Sequence, residues 1–218
     1  MERATAPFEF YAVSSLTRIG NQSAETIGEL LEGLQQCSDA SIFHHTYQTL
    51  GSHHFLTENF SNDFAQWAMA DANRNDLAER LASLDIRDYV SIAALRNDLC
   101  RIVGDFCAAS PALASQAALE RFYFCEGVEV TIPLGLQAYS LDEFREGIEL
   151  LSHAGFYFHF ISSRLRLQLQ SNDFSVWFKD GLGLDRLARL TERIDITTDT
   201  IDGAKARLLK LVDRELAA

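Results

Sequence analysis

One stretch occurs twice in this chain, first as Ser61-Asn62-Asp63-Phe64-Ala65-Gln66-Trp67 and again as Ser171-Asn172-Asp173-Phe174-Ser175-Val176-Trp177. The two occurrences are 110 residues apart (171 − 61), and the same offset places Leu77-Ala78 on Leu187-Ala188. A register that continues beyond a short motif indicates an internal repeat, and a repeat governs the whole fold. The sequence therefore predicts the tandem duplication of a unit of roughly 100 residues.

The repeat continues upstream of this motif at a slightly different offset. Glu32-Gly33 matches Glu146-Gly147, and His45 matches His159, at an offset of 114 residues (159 − 45). The first copy therefore carries four more residues than the second (114 − 110), and the turn-forming Gly51-Ser52 region is their expected position.

The apolar spacing in each copy predicts about five helices, preceded by one short extended segment. We expect a first repeat at 8–106, a connecting helix or linker at 107–121 and a second repeat at 122–216. The predicted fold is mainly α, with both copies packed as one compact pseudo-twofold domain. The alternative is an α+β fold with a small sheet, since Val128 and Val130 alternate with polar residues as in a half-buried strand.

Helix starts are marked by capping residues in both copies. The predicted N-cap residues are Thr26, Ser140, Asn62 or Asp63, and Asn172 or Asp173. Glu29 and Glu143 follow the first two caps by three residues, which is the spacing of a capping box. The Asn-Asp pairs could instead supply carboxylates for acid–base chemistry, but a helix start makes capping the simpler interpretation.

The aromatic residues of the repeated motif share one helix face. Phe64 and Trp67, like Phe174 and Trp177, are three residues apart. This spacing favours a buried core position, and we expect both indoles to pack against the aromatic residues of the preceding helix. The functional alternative is a platform on which a sugar or a base stacks.

Composition excludes several classes of partner. The 218 residues carry a net charge of −12, with 19 basic and 31 acidic side chains. No basic cluster that could follow a phosphate backbone is present, so neither nucleic acid nor an anionic membrane is an expected partner. The chain shows no signal-peptide pattern and no apolar run of about 20 residues, and its four cysteines form no CxxC pair. We expect a cytoplasmic protein with reduced thiols.

His45 and His159 are the histidines that correspond between the copies. One interpretation is a shared ligand-binding or acid–base site near the pseudo-twofold axis. The other is that each imidazole lies beneath aromatic residues and donates to a backbone carbonyl.

A second group of histidines could bind a metal ion. The candidate ligands are His44, His53, His54 and Glu58, and imidazole binds zinc, copper and nickel. The spacing matches no metal motif, and Gly51-Ser52 favours an exposed turn. No cofactor is indicated by any other pattern, because the chain lacks a phosphate-binding glycine loop and a nucleophile elbow.

Several of these stretches together resemble a known family. They are Leu31-Glu32-Gly33-Leu34, Ser41-Ile42-Phe43-His44-His45-Thr46, the two repeated motifs and Arg164-Leu165-Arg166-Leu167. The chain resembles, over nearly its whole length, the uncharacterised prokaryotic domain-of-unknown-function family number 5752. This resemblance implies a bacterial or archaeal cytosolic protein and implies no catalytic residue.

Two hypotheses of function follow. The first is a non-catalytic binding or protein-interaction module, which could self-associate, since capped helices occur without a catalytic signature. The second is an enzyme or metal-binding protein whose site lies between the repeats around His45 and His159, or in the His44–His54 cluster. The sequence leaves the question of enzymatic activity open.

Overall fold

The computed structural model describes residues 3–48, 62–167, 169–195 and 200–217, without the side chains of Ser15 and Gln48. The described strands are β1 (Phe8–Ala24) and β2 (Phe122–Ala138). The helices are α1 (Ile27–Gln36), α2 (Asp39–Phe43), α3 (Asp63–Ala70), α4 (Asn75–Ala82), α5 (Ile92–Ala109), α6 (Pro111–Ala114), α7 (Leu141–Leu150), α8 (His153–Tyr157), α9 (Ser163–Arg166), α10 (Asp173–Asp180), α11 (Asp185–Glu192) and α12 (Ile201–Leu216). Two π-helical turns, His44–Gln48 and Phe158–Ser162, continue α2 and α8, and a 3₁₀ turn spans Ile86–Asp88.

The extended segments are much longer than the sequence predicts. Both β1 and β2 have 17 residues, and they pair in a two-stranded sheet. Arg18 lies beside Glu126 and Glu9 beside Gln137, so numbering rises along one strand as it falls along the other, as in an antiparallel pair. The structure therefore fits the α+β alternative with a small sheet, and the prediction that the extended segments are short is wrong.

Side-chain caps define the start of the helix that follows each strand. Thr26 Oγ1 accepts from the Glu29 N–H at 3.1 Å, and Ser140 Oγ accepts from the Glu143 N–H at 3.3 Å. The glutamates reach back one residue beyond the cap: Glu29 accepts from the Glu25 N–H rather than from that of Thr26. This contact still satisfies a free backbone donor at the helix entrance.

The chain forms two compact units. Unit 1 comprises Met1–Ser15 and Glu129–Ala218, and unit 2 comprises Leu16–Val128. The bounds of these units differ from those of the predicted repeats. Unit 1 combines the first half of β1 with the helices that follow β2, and unit 2 combines the first half of β2 with the helices that precede it.

The core of unit 1 is built on the start of β1. The Phe8 ring lies 5.3 Å from Phe144 of α7, 5.5 Å from Phe174 and 5.8 Å from Trp177 of α10, measured between centroids. Phe10 is 1% exposed. Each fully buried phenylalanine contributes about 1.5–3 kcal/mol of transfer free energy, so these two side chains are principal anchors of the unit.

The core of unit 2 is built in the same way on the start of β2. Phe122 lies 5.2 Å from Phe64 and 5.8 Å from Trp67 of α3, and Phe124 is 2% exposed. The start of β2 therefore packs on helices that precede it, whereas the start of β1 packs on helices that follow β2.

Each anchoring ring lies against a glycine in a helix. A Cβ built on Gly33 of α1 would lie 2.2 Å from the Phe124 ring, and one built on Gly147 of α7 would lie 2.3 Å from the Phe10 ring. Since real contacts of this kind are never so short, both helices need glycine where the strand approaches.

The four cysteines are free thiols, of which Cys37 is buried and Cys100, Cys107 and Cys125 are half-buried. Within the described ranges, the helices are all too short or too polar to span a bilayer.

Gly33→Ala should destabilise unit 2 by about 1–3 kcal/mol, because the added methyl group overpacks the Phe124 ring. Gly104→Ala in α5 is the matched control, since its Cβ would meet Leu31 at an ordinary 4.0 Å. We expect this control to stabilise the protein by about 0.5–1 kcal/mol, the usual gain from replacing glycine inside a helix. Urea unfolding of both variants measures the difference, and equal stability of the two would refute the packing argument.

Candidate functional site

The two matching histidines lie in the π-helical turns. His45 is in His44–Gln48, in unit 2, and His159 is in Phe158–Ser162, in unit 1. Helical turns of this kind are rare, and many of those known lie at functional positions, so the surroundings of both rings are a candidate site.

The His159 ring is buried, with 2% of the residue exposed, and both of its nitrogens have partners. Nδ1 lies 2.8 Å from Asp173 Oδ2, and the backbone N–H of Tyr11 donates to Nε2 at 3.2 Å. Because Nε2 accepts a hydrogen bond, the ring proton of the neutral imidazole is on Nδ1, where it is donated to the carboxylate. The ring thereby connects α10 to β1, and its own contact with Tyr11 spans 148 positions of the sequence.

His45 has the same arrangement in unit 2. Its Nδ1 lies 2.8 Å from Asp63 Oδ2, and the backbone N–H of Cys125 donates to Nε2 at 2.9 Å. The ring is covered by Phe122 at 4.7 Å and Phe64 at 5.4 Å.

These His–Asp pairs resemble the base and orienting carboxylate of a catalytic triad, but they differ in one respect. In a triad the second ring nitrogen faces a nucleophile, whereas here it accepts a backbone N–H. Proton abstraction or metal binding at Nε2 would first require the strand contact to break. The hypothesis of a ligand site at His45 and His159 stays a prediction. Both rings lie beneath aromatic residues, as the structural alternative predicts, but they donate to carboxylates and not to backbone carbonyls.

The candidate metal ligands His53, His54 and Glu58 lie outside the described residues, and His44 is the member of that group that the structure describes. The His44 ring lies 5.0 Å from the His45 ring in an edge-on arrangement. In the described part of the chain, no group of three His, Cys, Asp or Glu side chains could hold a metal ion. The metal hypothesis for this cluster stays a prediction.

The Asn-Asp pairs divide two tasks between them. Asn62 and Asn172 are the N-caps of α3 and α10, and their side chains accept from Ala65 N–H and Ser175 N–H. The sequence leaves open whether the asparagine or the aspartate of each pair is the cap, and these contacts assign the cap to the asparagine. The Asp63 and Asp173 carboxylates instead bond to the histidines.

Both indoles are buried, as the sequence predicts, but against different neighbours. Trp67 is 4% exposed and Trp177 is 8% exposed. Trp177 stacks on Phe144 of α7, and its Nε1–H donates to the Ala6 carbonyl at 3.1 Å. Trp67 donates to the Glu120 carbonyl at 2.8 Å. These contacts are therefore with α7 and with the segments that lead into the strands, and not with the aromatic residues of the preceding helix that the sequence predicts.

Unit 1 contains an open cleft of about 470 Å³. It lies between residues 5–11 and α10, beside the His159–Asp173 pair. Its lining residues are Thr5, Ala6, Pro7, Phe8, Glu9, Tyr11, His159, Arg166, Asp173, Val176, Trp177, Asp180 and Gly181.

The charged groups of the cleft are partly neutralised. Arg166 bonds to the Asp173 carboxylate, and its guanidinium lies 5.0 Å from the centre of the Phe158 ring. Glu9 accepts from the Tyr11 hydroxyl at 2.7 Å and from Gln137 Nε2 at 3.1 Å. The bond to Glu9 raises the pKa of Tyr11 above its ordinary value, so the phenol keeps its proton.

Unit 1 contains a second polar cluster that the sequence does not predict. The Ser162 hydroxyl donates to Glu129 of β2, and Tyr157 of α8 lies near the same carboxylate. Burial raises the pKa of Glu129 above 4.5, although Ser162 and Arg166 act in the opposite direction. Burial, and then the charge of Glu129, raise the pKa of Tyr157. In the sequence this cluster is marked only by Glu129, a charged residue between Val128 and Val130, and one charged residue does not suffice to identify a cluster.

Comparison with known proteins identifies a family but no activity. Residues 5–213 match the model of a family of unknown function, DUF5752. A solved structure, that of OrfY from Thermoproteus tenax, is similar to this chain with a TM-score of 0.84 and 26% sequence identity. The similarity covers 100% of this chain and 99% of that one. A search of curated proteins gives no match.

His159→Phe should destabilise the protein by about 1–3 kcal/mol, because the Tyr11 N–H loses its acceptor while the ring volume is kept. We expect the same change at His45 to expose the Cys125 amide. Urea unfolding measures the stability, and hydrogen exchange of the Tyr11 amide should accelerate in His159→Phe. His153→Gln, an exposed position, is the control. Unchanged Tyr11 exchange in His159→Phe would show that the strand contact is unimportant.

Glu129→Gln should stabilise the protein at neutral pH, because it removes the desolvation of a partly buried carboxylate. The pKa of Glu129 in the folded protein lies above the ordinary value of 4.5 that applies in the unfolded chain. The wild type therefore gains stability as the pH falls from the folded pKa towards 4.5, and the advantage of the variant shrinks over that range. Unfolding free energies at several pH values test this, with the exposed Glu146→Gln as control. Lower stability of Glu129→Gln at neutral pH would contradict it.

Proposed function

The chain belongs to the DUF5752 family of unknown function, and from its geometry we propose that it is a non-catalytic binding protein whose ligand site is the open cleft of unit 1. The observation that carries this proposal is the cleft itself, which places apolar walls, three carboxylates and one guanidinium around about 470 Å³. Binding sites for small molecules combine apolar walls with a few polar groups in volumes of this order.

The state of the histidines supports binding over catalysis. A general base needs a nitrogen within reach of the substrate proton. In His45 and His159 both nitrogens are occupied by contacts that hold a strand to a helix. The buried His–Asp pairs are better explained as braces of the two cores.

We also propose that the chain arose by tandem duplication, with the two copies exchanging the starts of their strands. The contact of Phe124 with Gly33 and that of Phe10 with Gly147 relate positions that are 114 apart in both partners (124 − 10 and 147 − 33). The equivalent histidine contacts, to Cys125 and Tyr11, follow the same offset. Least-squares superposition of Thr26–Phe106 on Ser140–Leu216 is the direct test.

These proposals favour a cytoplasmic protein, since the four thiols are free. The proposed binding role includes self-association or a protein partner.

A screen of small cationic, anionic and neutral compounds by thermal melting tests the binding site. Ligands that occupy the cleft should raise the melting temperature through mass action. Val176→Trp fills the cleft from α10 and should abolish these shifts. Gln66→Trp, at the equivalent position of α3, is the matched control and should preserve them. Shifts that persist in Val176→Trp, or a screen without any shift, would overturn the proposed site.

A further inference from the structure

We infer that the cleft of unit 1 selects a small organic cation with an apolar body, such as an alkylammonium ion. This inference rests on the proposed function, and it specifies the ligand class of the same site.

The charges in the cleft favour a cation. Glu9, Asp173 and Asp180 line it, against one guanidinium, that of Arg166. Arg166 and the His159 ring both bond to Asp173, so the positive group is already engaged with a carboxylate. Glu9 and Asp180 then remain to meet a ligand, and among the described residues Asp180 has no ion-pair partner. An anion would meet these two carboxylates without a free cation to bind it.

The Glu9 carboxylate is already oriented before any ligand binds. The Tyr11 hydroxyl and the Gln137 amide both donate to it. A group held in place in this way loses little conformational entropy on binding, which favours affinity for a small ligand. One lone pair on each oxygen remains for an ammonium N–H.

The walls favour an organic cation over a bare metal ion. Pro7, Phe8, Val176 and Trp177 supply apolar surface, and the Tyr11 ring adjoins the Glu9 carboxylate. An alkyl chain can bury against this surface, and an ammonium group is attracted to aromatic faces as well as to carboxylates. The described residues contain no group of three acidic, histidine or cysteine side chains that could hold a metal ion.

Unit 2 provides an internal comparison. At the offsets of 114 and 110, Glu9 corresponds to Tyr123, Tyr11 to Cys125 and Asp180 to Ala70. The bracing residues are the same in both units, but these carboxylates are particular to unit 1. Selection for a cation is therefore expected in unit 1 alone.

The experiment compares three probes of the same length in titrations followed by ¹H–¹⁵N NMR: hexylammonium, hexanol and hexanoate. The two indole N–H signals, assigned with a Trp67→Phe variant, report on both units of the full chain. Hexylammonium should shift the Trp177 signal and leave the Trp67 signal in place, and its affinity should fall as salt is added. Hexanol should bind more weakly, and hexanoate should not shift Trp177.

Glu9→Gln and Asp180→Asn should each weaken hexylammonium binding about threefold or more, since each removes one attractive charge at a solvent-accessible site. Glu146→Gln, an exposed acid on α7 outside the cleft, should leave the affinity unchanged. Preferential binding of hexanoate or hexanol at Trp177 would overturn the cation assignment while the cleft stayed a binding site. Absence of a Trp177 shift with all three probes would overturn the site as well.

Discussion

The contact between an aromatic strand residue and a helical glycine is the constraint on which both units depend. Phe10 reaches the backbone of α7 at Gly147, and Phe124 reaches that of α1 at Gly33. Only a residue without a side chain permits this approach, and the approach sets the distance between strand and helix. The aromatic residues of α3 and α10 then pack around the phenylalanines, and each His–Asp pair holds the strand backbone at the next residue. Without the glycine contact, neither the ring cluster nor the histidine bond to the strand could form in its present geometry.

The buried histidines show how a polar group can serve a core of this kind. A strand that lies against a helix leaves backbone N–H groups without partners in the sheet, and an unpaired buried donor is costly. An imidazole whose proton is held by a carboxylate offers an acceptor at the required place while remaining neutral. The same arrangement occurs in both units, so the His–Asp pair is part of the structure that anchors the start of each strand to a helix.

Features that depend on local sequence could be predicted, and those that depend on which helices a strand packs against could not. The caps Thr26 and Ser140 are visible because a hydroxyl and a glutamate three residues later suffice to identify a helix start. The length of the strands was missed because Gly20, Pro133 and Gly135 are unfavourable in strands. The exchange of strand starts that we propose leaves no trace in the sequence, since positions 10 and 124 are both phenylalanine and positions 33 and 147 are both glycine, so either pairing buries the same types of residue. The cleft gave no signal because its lining residues come from segments far apart in the chain.

The division of unit 1 between the first 15 residues and those after Val128 has a consequence for synthesis on the ribosome. Unit 2 is a continuous stretch and can begin to fold while the rest of the chain is still being made. Phe8 and Phe10 are synthesised before the helices on which they pack, and the 137 residues from Phe10 to Gly147 (147 − 10) take roughly 7–27 seconds at about 5–20 residues per second. Throughout that interval the aromatic start of β1 is an exposed apolar segment to which chaperones can bind, and it becomes buried only after the whole of unit 2 has been synthesised.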